Sequence, residues 1–112
     1  MKVRCVHNTV DGRQLSVTPG ETYEVLAIAD GSYRLIDDRG EPYLFEAEAF
    51  EVIDDTRPSE WVIERGDEGE EYAGPAEFQT PGFWEDFFEH KPEARMVFAR
   101  YLNRYLRTSG AA

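Results

Sequence analysis

The sequence has only one cysteine, Cys5, and two histidines, His7 and His90, among its 112 residues. A single cysteine excludes an intramolecular disulfide, and a reducing cytosol is the natural setting for such a chain. The spacing of these residues gives neither a metal-ligand cluster nor a nucleophile with a nearby base. Val3 and Val6 lie beside Cys5, which predicts a buried thiol that packs as a small hydrophobic side chain. We therefore expect a protein that is not an enzyme and that holds no metal or cofactor.

Long apolar runs are also missing from the sequence. No stretch approaches the roughly 18 to 20 apolar residues that cross a membrane as a helix. The basic start, Met1 to Arg4, is not followed by an apolar segment of signal-peptide length. We therefore expect no membrane contact and a cytoplasmic location.

Basic residues are scarce, with 12 Lys and Arg against 23 Asp and Glu, for a net charge of -11. An acidic surface repels nucleic-acid phosphates and anionic membranes, so neither is an expected partner. The segment after residue 90 differs, because its bases outnumber its one acid, Glu93. One interpretation is a basic helix that docks on the acidic body of the protein. The alternative is nucleic-acid recognition by the arginines of this segment, which are Arg95, Arg100, Arg104 and Arg107.

One acidic peptide pattern is present twice. Residues 38–43 read DRGEPY, residues 67–72 read DEGEEY, and an Ala-Glu pair follows each copy. Glycine at the third place supplies the positive φ that a tight turn needs, and aspartate at the first place can bond its own backbone. The simpler interpretation is two β-hairpins. The functional interpretation is that both turns place their carboxylates on one face of the protein.

The first half of the chain predicts a small antiparallel barrel. Residues 22–28 (TYEVLAI) predict one half-buried strand, and Asp30-Gly31 is a typical hairpin turn before the next strand. Closing a sheet on itself covers strand edges, which makes a barrel the favoured arrangement for several short strands. The five predicted strands lie at residues 3–7, 22–28, 32–36, 43–45 and 50–53. A polar linker at residues 54–59 separates them from the second hairpin, at residues 60–75.

The last third predicts two helices. Thr80 is a candidate cap and Pro81 a candidate first helical position, and Pro92 is placed to begin a second helix. The length of the chain predicts a single domain over residues 1–112. Its predicted parts are a barrel at 1–53, a hairpin at 60–75 and a helical pair at 81–107.

Several of these runs together resemble a family of small bacterial and phage proteins. The matching segments are Val3 to Asn8, Leu15 to Val25, Tyr33 to Gly40 and Tyr43 to Val52. The family pattern is a leading Cys, an L-T-x-G-K-x-Y-x-V core, a D-x-G turn and a closing aromatic-Glu-Val. This chain departs from it in the longer Ser16 to Pro19 segment and in Glu21, where a Lys is common. The resemblance covers residues 2–53 and implies an SH3-like barrel there, and it implies an association with toxin–immunity loci for some members. Together with the predicted hairpin and the two predicted C-terminal α-helices, the expected fold class is α+β.

An acidic, aromatic-rich chain without a catalytic set indicates recognition of a basic protein partner. The most specific hypothesis is an immunity protein that neutralises a cognate bacterial toxin by occluding its basic active-site surface. The alternative is a docking module of a phage, a mobile element or a larger assembly. The predicted contact residues are Asp38, Glu41, Trp61, Glu64, Asp67, Glu68, Glu70 and Glu71.

Three other interpretations of these residues are open. Trp61 and Trp84 are candidate anchors for a partner, but large aromatic side chains also pack in cores. Glu41 and Glu70 could form an acid/base pair of the glycosidase kind. Residues 67–71 could bind calcium, although they lack the alternating ligand positions of an EF-hand loop.

Overall fold

The computed structural model describes the backbone of residues 1–108 and the side chains of residues 1–105. The chain divides into two compact units, Met1–Ala76 and the segment from Glu77 onward. The first, which we call the β unit, contains the described strands, and the second, the helical unit, contains the two described α-helices. The α+β class is therefore as predicted, whereas the single domain over 1–112 stays a prediction. No helix in the described part of the chain is long and apolar enough to cross a membrane.

The strands of the β unit are short and all their pairings are antiparallel. They are β1 (Lys2–Cys5), β2 (Thr9–Val10), β3 (Arg13–Gln14), β4 (Thr22–Glu24), β5 (Ala27–Ala29), β6 (Ser32–Ile36), β7 (Pro42–Glu46), β8 (Phe50–Asp54), β9 (Trp61–Arg65) and β10 (Glu71–Pro75). They form a three-stranded sheet in the order β4-β1-β8, a five-stranded sheet in the order β7-β6-β5-β10-β9, and the pair β2-β3. Among the described strands, no ladder closes these sheets into one barrel.

The predicted strand at residues 22–28 is wrong, because the run is divided between two sheets. β4 pairs with β1, whereas β5 pairs with β6 and β10. At the break, the N–H of Val25 donates to the carbonyl of Met1 at 2.9 Å, and the N–H of Leu26 donates to the carbonyl of Arg34 at 2.7 Å. The chain therefore changes sheets between these two residues, which makes a corner between the sheets.

The core of the β unit is apolar and contains Cys5. Val3 and Leu35 are fully buried, and Cys5 is 1% exposed. Burial raises the pKa of the Cys5 thiol, so the thiol stays protonated at neutral pH. The prediction that Cys5 packs as a small hydrophobic side chain is confirmed. The buried core residues are Val3, Cys5, Val10, Leu15, Val17, Val25, Ile28, Leu35, Phe45, Ala49, Phe50, Trp61 and Ala73.

The acidic pattern that is present twice in the sequence is also a structural repeat. The hairpin of β6 and β7 is followed by a 3₁₀ helix at Ala47–Ala49, and the hairpin of β9 and β10 is followed by another at Ala76–Phe78, with all elements displaced by 29 residues. The strand registers repeat as well, since Ser32 pairs with Glu46 and Trp61 pairs with Pro75. The two hairpins lie on opposite sides of β5 in the five-stranded sheet. The interpretation of the pattern as two hairpins is confirmed.

The helical unit contains α1 (Phe83–Phe88) and α2 (Pro92–Thr108). The prediction that α1 begins at Pro81 is wrong, because Gly82 has a φ of 78°, which a right-handed helix cannot contain. Thr80 belongs to the preceding turn, where its carbonyl accepts the N–H of Phe83 at 3.0 Å. α2 begins at Pro92 as predicted, because the fixed φ of proline suits the first helical position.

Candidate partner-binding surface

The first acidic turn, residues 37–41, is held together by Asp37. Its Oδ1 accepts the N–H groups of Arg39 and Glu41, both at 2.9 Å, and its other oxygen accepts the hydroxyl of Ser16. Asp37 is only 5% exposed. A carboxylate with this many donors stabilises the turn and fixes it to the preceding loop, so Asp37 is a structural residue.

Asp38, a predicted contact residue, also bonds within the fold. Its carboxylate oxygens accept the hydroxyls of Thr18 and Tyr23, each at 2.6 Å. These two bonds hold the pKa of Asp38 below its usual range. Burial first, and the hydrogen bond to Asp38 next, raise the pKa of Tyr23 to about 12. The first acidic turn is thus fastened to the β unit on both of its aspartates.

The second acidic turn, residues 66–70, has the same backbone bonds and a different side-chain lock. The N–H of Gly66 donates to the carbonyl of Glu70 at 2.9 Å, as the N–H of Asp37 does to its own partner in the first turn. Gly66 has no side chain, and the carboxylate of Glu70 fills the space above it. This carboxylate accepts the N–H of Glu68 at 3.2 Å. Glu70, another predicted contact residue, is therefore partly engaged in the turn, while Asp67 and Glu68 are exposed.

The two acidic turns lie at opposite ends of the five-stranded sheet. β5 is antiparallel to both β6 and β10, so β6 and β10 run in the same direction. The first turn follows the end of β6, whereas the second turn precedes the start of β10. Strands of five residues separate these ends by about 16 Å. The two turns therefore do not bring their carboxylates together in one cluster.

The same separation decides against an acid/base pair of Glu41 with Glu70. Glycosidase carboxylates work at a separation of about 5 to 10 Å, with the reacting sugar between them. Glu41 and Glu70 stand in the two turns at opposite ends of the sheet. The calcium hypothesis for residues 67–71 is a separate question. Among the described residues, no three or more His, Cys, Asp or Glu side chains are grouped so that they could hold a metal ion, and residues 67–71 therefore form no such group.

Carboxylates and one exposed tyrosine come together around the second acidic turn. Tyr72 pairs directly with Glu64 on β9 and with Ala29 on β5, so Asp30 lies beside it. Partial loss of solvent raises the pKa of Tyr72, and the nearby carboxylates of Asp30 and Glu70 raise it further. We call this surface the acidic end; it consists of Asp30, Glu64, Asp67, Glu68, Glu70 and Tyr72. Four of these residues were predicted as contacts from the sequence, namely Glu64, Asp67, Glu68 and Glu70. The structure adds two that the sequence did not indicate, Asp30 and Tyr72.

Glu71 stands next to the acidic end, but its charge is already matched. Two nitrogens of Arg57 lie 2.9 Å from its two carboxylate oxygens, and Arg65 lies 3.9 Å away. The hydrogen bonds from Arg57 hold the pKa of Glu71 below its usual value. The linker that carries Arg57 is thereby fixed to β10. A partner contact at Glu71 stays a prediction, and the carboxylate contributes less to the negative potential than its neighbours do.

Trp61 lies in the core of the β unit. It is 8% exposed and belongs to the buried cluster, with Arg57 positioned 6.0 Å from the centre of its ring. Its Nε1 has no acceptor among the described residues. Trp61 is therefore a core residue and not an exposed anchor for a partner. The exposed aromatic side chain near the carboxylates of the acidic end is Tyr72, at 36% exposure.

Two arginines of the helical unit, Arg95 and Arg104, make contacts with other residues of the same unit. The guanidinium of Arg95 lies 3.9 Å from the ring centre of Phe87, and its Nε donates to the Phe87 carbonyl at 3.0 Å. Arg104 pairs with Glu77 at 3.4 Å. These contacts favour a structural role over nucleic-acid binding for both arginines. Docking of the basic helix on the acidic body stays a prediction, and the side chain of Arg107 lies outside the described residues.

A cleft of about 250 Å³ also belongs to the helical unit. Its floor is apolar and its rim has three carboxylates, two of which, Glu77 and Asp86, already pair with Arg104 and Lys91. The lining residues are Glu77, Thr80, Pro81, Phe83, Asp86, Glu93, Ala94 and Val97. With most of its charge matched, this cleft is a weaker candidate surface than the acidic end.

No protein-family model, curated protein or solved structure matches this chain.

Proposed function

We propose that this chain is a non-enzymatic protein that binds a basic protein partner through the acidic end, in the cytoplasm. The observation that carries the proposal is the position of the exposed Tyr72 beside the carboxylates of Asp30, Glu64 and Glu70. Tyrosine supplies a large contact area at low entropic cost, and carboxylates supply complementary charge for a basic surface.

The net charge supports the same proposal. A charge of -11 on 112 residues produces a negative potential that attracts a basic protein before contact. Such steering raises association rates by about 10- to 1,000-fold at low salt. Asp67 and Glu68 are exposed and form no ion pair among the described residues, so their charge faces the solvent. The acidic end is thus placed to make the first contact.

The most specific form of the proposal is an immunity protein that neutralises a cognate bacterial toxin by covering its basic active-site surface. The family resemblance of residues 2–53 supports the word immunity. The SH3-like barrel that this resemblance implies has support in the connectivity, since the run at 22–29 changes sheets and β8 returns to pair with β1. A strand that turns a corner and a last strand that returns to the first are features of small closed barrels.

The first experiment isolates the partner. The tagged protein is incubated with a lysate of the cells that encode it, and bound proteins are eluted by a salt step and identified by mass spectrometry. For an immunity protein we expect one basic protein in stoichiometric yield, which stops growth when expressed alone and is harmless when co-expressed. Recovery of phage structural proteins or other assembly components would overturn the immunity hypothesis and favour the docking module.

The second experiment tests the acidic end with matched charge reversals. The test variant combines Asp67→Lys with Glu68→Lys. The control combines Glu21→Lys, before β4, with Glu41→Lys, in the first acidic turn; both lie outside the acidic end and change the net charge equally. We expect the test variant to slow association with the partner by about tenfold or more at low salt, and the control by less than about threefold. All four positions are partly or fully exposed, so the melting temperatures should stay close to that of the natural protein. Equal slowing in both variants would show that only net charge matters.

A further inference from the structure

We infer that β9 accepts a strand of the basic partner at its open edge and so extends the five-stranded sheet by one strand. The proposed occupant is an extended segment in which lysine or arginine alternates with apolar residues. This inference rests on the proposed function, because it names how the same partner is held. The inference assigns binding to backbone hydrogen bonds of β9, whereas the proposed function assigns it to the charges and the tyrosine of the acidic end.

The hydrogen-bond alternation of the β9–β10 hairpin leaves backbone groups at the edge. The ladder begins with the bond from the N–H of Gly66 to the carbonyl of Glu70. In an antiparallel pair, hydrogen-bonded and non-hydrogen-bonded residue pairs alternate. Counting back from Gly66, Glu64 and Val62 are therefore the residues of β9 that bond to β10. The residues between them, Ile63 and Arg65, direct their N–H and C=O groups away from β10.

A second bond confirms this alternation. Trp61 belongs to the same set as Ile63, and its N–H donates to the carbonyl of Pro58 at 3.2 Å instead of to β10. Among the described residues, no backbone hydrogen bond is made on the outer side of Ile63 and Arg65, since β9 is the last strand of the sheet. Four hydrogen-bonding groups are therefore available to an added strand.

The side chains of β9 indicate the chemistry of that strand. Ile63 is 53% exposed and Val62, on the opposite face, is 38% exposed. Glu64 shares the face of Val62, and Glu60 adds a further carboxylate in the turn just before the strand. A partner strand with basic residues toward Glu64 and apolar residues toward Ile63 would match charge on one face and cover apolar surface on the other.

The other edges of the sheets are less suitable. β7 begins with Pro42, which has no N–H to donate. The pairing of β8 with β1 contains a register shift opposite Lys2 and Val3, and β4 has only three residues. Among the described strands, β9 is the regular five-residue edge without such an interruption.

Charge also argues against a second copy of this chain as the occupant. Two β9 strands paired antiparallel about Ile63 would place Glu64 of each copy diagonally opposite Glu64 of the other. Like charges at these positions are destabilising, and each copy has a net charge of -11. A basic partner removes this repulsion.

The test uses the full chain and two synthetic peptides. One peptide alternates lysine and valine, and the control peptide has the same sequence with every backbone nitrogen N-methylated, which keeps the charge and blocks strand pairing along both edges of the peptide. Amide hydrogen exchange is followed by NMR at low salt. We expect only the first peptide to protect the amides of Ile63 and Arg65, with no protection at Leu44, whose N–H points outward from the other edge strand.

Proline variants test the same edge by affinity. Ile63→Pro removes one outward N–H without breaking the ladder to β10, and Leu44→Pro is the matched change on β7. We expect Ile63→Pro to weaken binding of the lysine–valine peptide by about tenfold, and Leu44→Pro by less than twofold. If Ile63→Pro lowers the melting temperature, its affinity is not interpretable, and the hydrogen-exchange experiment on the natural protein then decides whether β9 accepts a strand.

The outcomes separate the inference from the proposed function. Equal binding of both peptides with unprotected Ile63 and Arg65 amides would overturn strand addition and leave the acidic end as the binding surface. Absence of binding by either peptide at low salt would overturn both. Protection without any peptide, together with a doubled mass in solution, would overturn the basic partner strand in favour of a second copy.

Discussion

The carboxylate of Glu70 lies in the space that a side chain on Gly66 would occupy, and it accepts the N–H of Glu68 at 3.2 Å. In the first acidic turn, Asp37 performs this role for the N–H of Arg39 at 2.9 Å. The two turns therefore bond the same backbone N–H, that of the third residue of the turn. In the first turn the accepting carboxylate belongs to the first residue, and in the second turn it belongs to the last. The structural repeat conserves the bond, although the residue that makes it has changed place.

This relationship predicts that the effect of Gly66→Ala depends on Glu70. Gly66 does not have a positive φ, so alanine fits the backbone and reduces the entropy of the unfolded chain, a gain of about 0.4 to 1 kcal/mol. In the natural protein the new Cβ must displace the Glu70 carboxylate, which offsets the gain. We expect Gly66→Ala to stabilise the Glu70→Ala variant and not the natural protein, as measured by urea unfolding of all four members of the cycle. The same change in both backgrounds would contradict the proposed contact.

Asp37 is predicted to be the more costly carboxylate to remove. It is buried and accepts two N–H groups and the Ser16 hydroxyl, so Asp37→Ala leaves several donors without an acceptor. We expect a loss of about 2 to 3 kcal/mol in the free energy of unfolding. Asp67→Ala is the matched control in the second turn; because Asp67 is exposed, its effect should stay within about 0.5 kcal/mol. Similar losses of unfolding free energy for the two variants would show that the hydrogen bonds accepted by Asp37 do not stabilise the fold.

Tyr23 predicts a loss of stability at high pH. Its pKa is raised from 10.0 to about 12 in the folded protein, by burial first and by the Asp38 hydrogen bond next. Between these values the unfolded chain has released the phenolic proton and the folded protein has kept it, so stability falls as the pH rises from 10 to 12. We expect Tyr23→Phe to lack this part of the pH dependence in denaturant titrations. Asp38→Asn should lower the pKa of Tyr23, as followed by phenolate absorbance, and an unchanged pKa would remove Asp38 as a cause.

Phe78 is predicted to stabilise the helical unit. It is 3% exposed, and its ring centre lies 4.8 Å from that of Tyr101, 5.0 Å from that of Trp84 and 5.2 Å from that of Phe83. Phe78→Ala should cost about 3 to 5 kcal/mol through lost contacts and a cavity. Near-ultraviolet circular dichroism, measured in a Trp61→Phe background so that Trp84 is the one tryptophan, reports the packing. Met96→Ala, at a position 50% exposed, should leave that signal unchanged. A retained signal in Phe78→Ala would show that Trp84 packs independently of it.

The hairpins and the start of α2 could be predicted from the sequence because their signals are local. Asp30, Gly31, Gly40 and Gly69 have the positive φ values that their turns predict, and Pro92 stands at the first position of its helix. The errors at residues 22–28 and at Pro81 have a different origin. A change of sheet between two buried apolar residues leaves no mark in an alternating pattern, and Gly82 interrupts a helix start that Pro81 alone suggests.

The carboxylates of the candidate surface could be identified from the sequence, whereas their grouping could not. Asp67, Glu68 and Glu70 belong to one turn, so they were expected to lie together. Asp30 and Tyr72 are distant in the chain and meet only because β10 pairs with β5. A sequence pattern does not specify which edge a second hairpin will join.

The sequence by itself determined the acidic charge, the turn chemistry and the duplicated hairpin, because these depend on residue type and on neighbours within a few positions. The tertiary structure decided which turn became part of the acidic end and which, through Asp37 and Asp38, became a lock within the fold. It also decided that Trp61 is buried and that Ile63 lies at an open edge. These outcomes depend on pairings between strands far apart in the chain, where burial of the shared core selects one arrangement among many that local preferences allow.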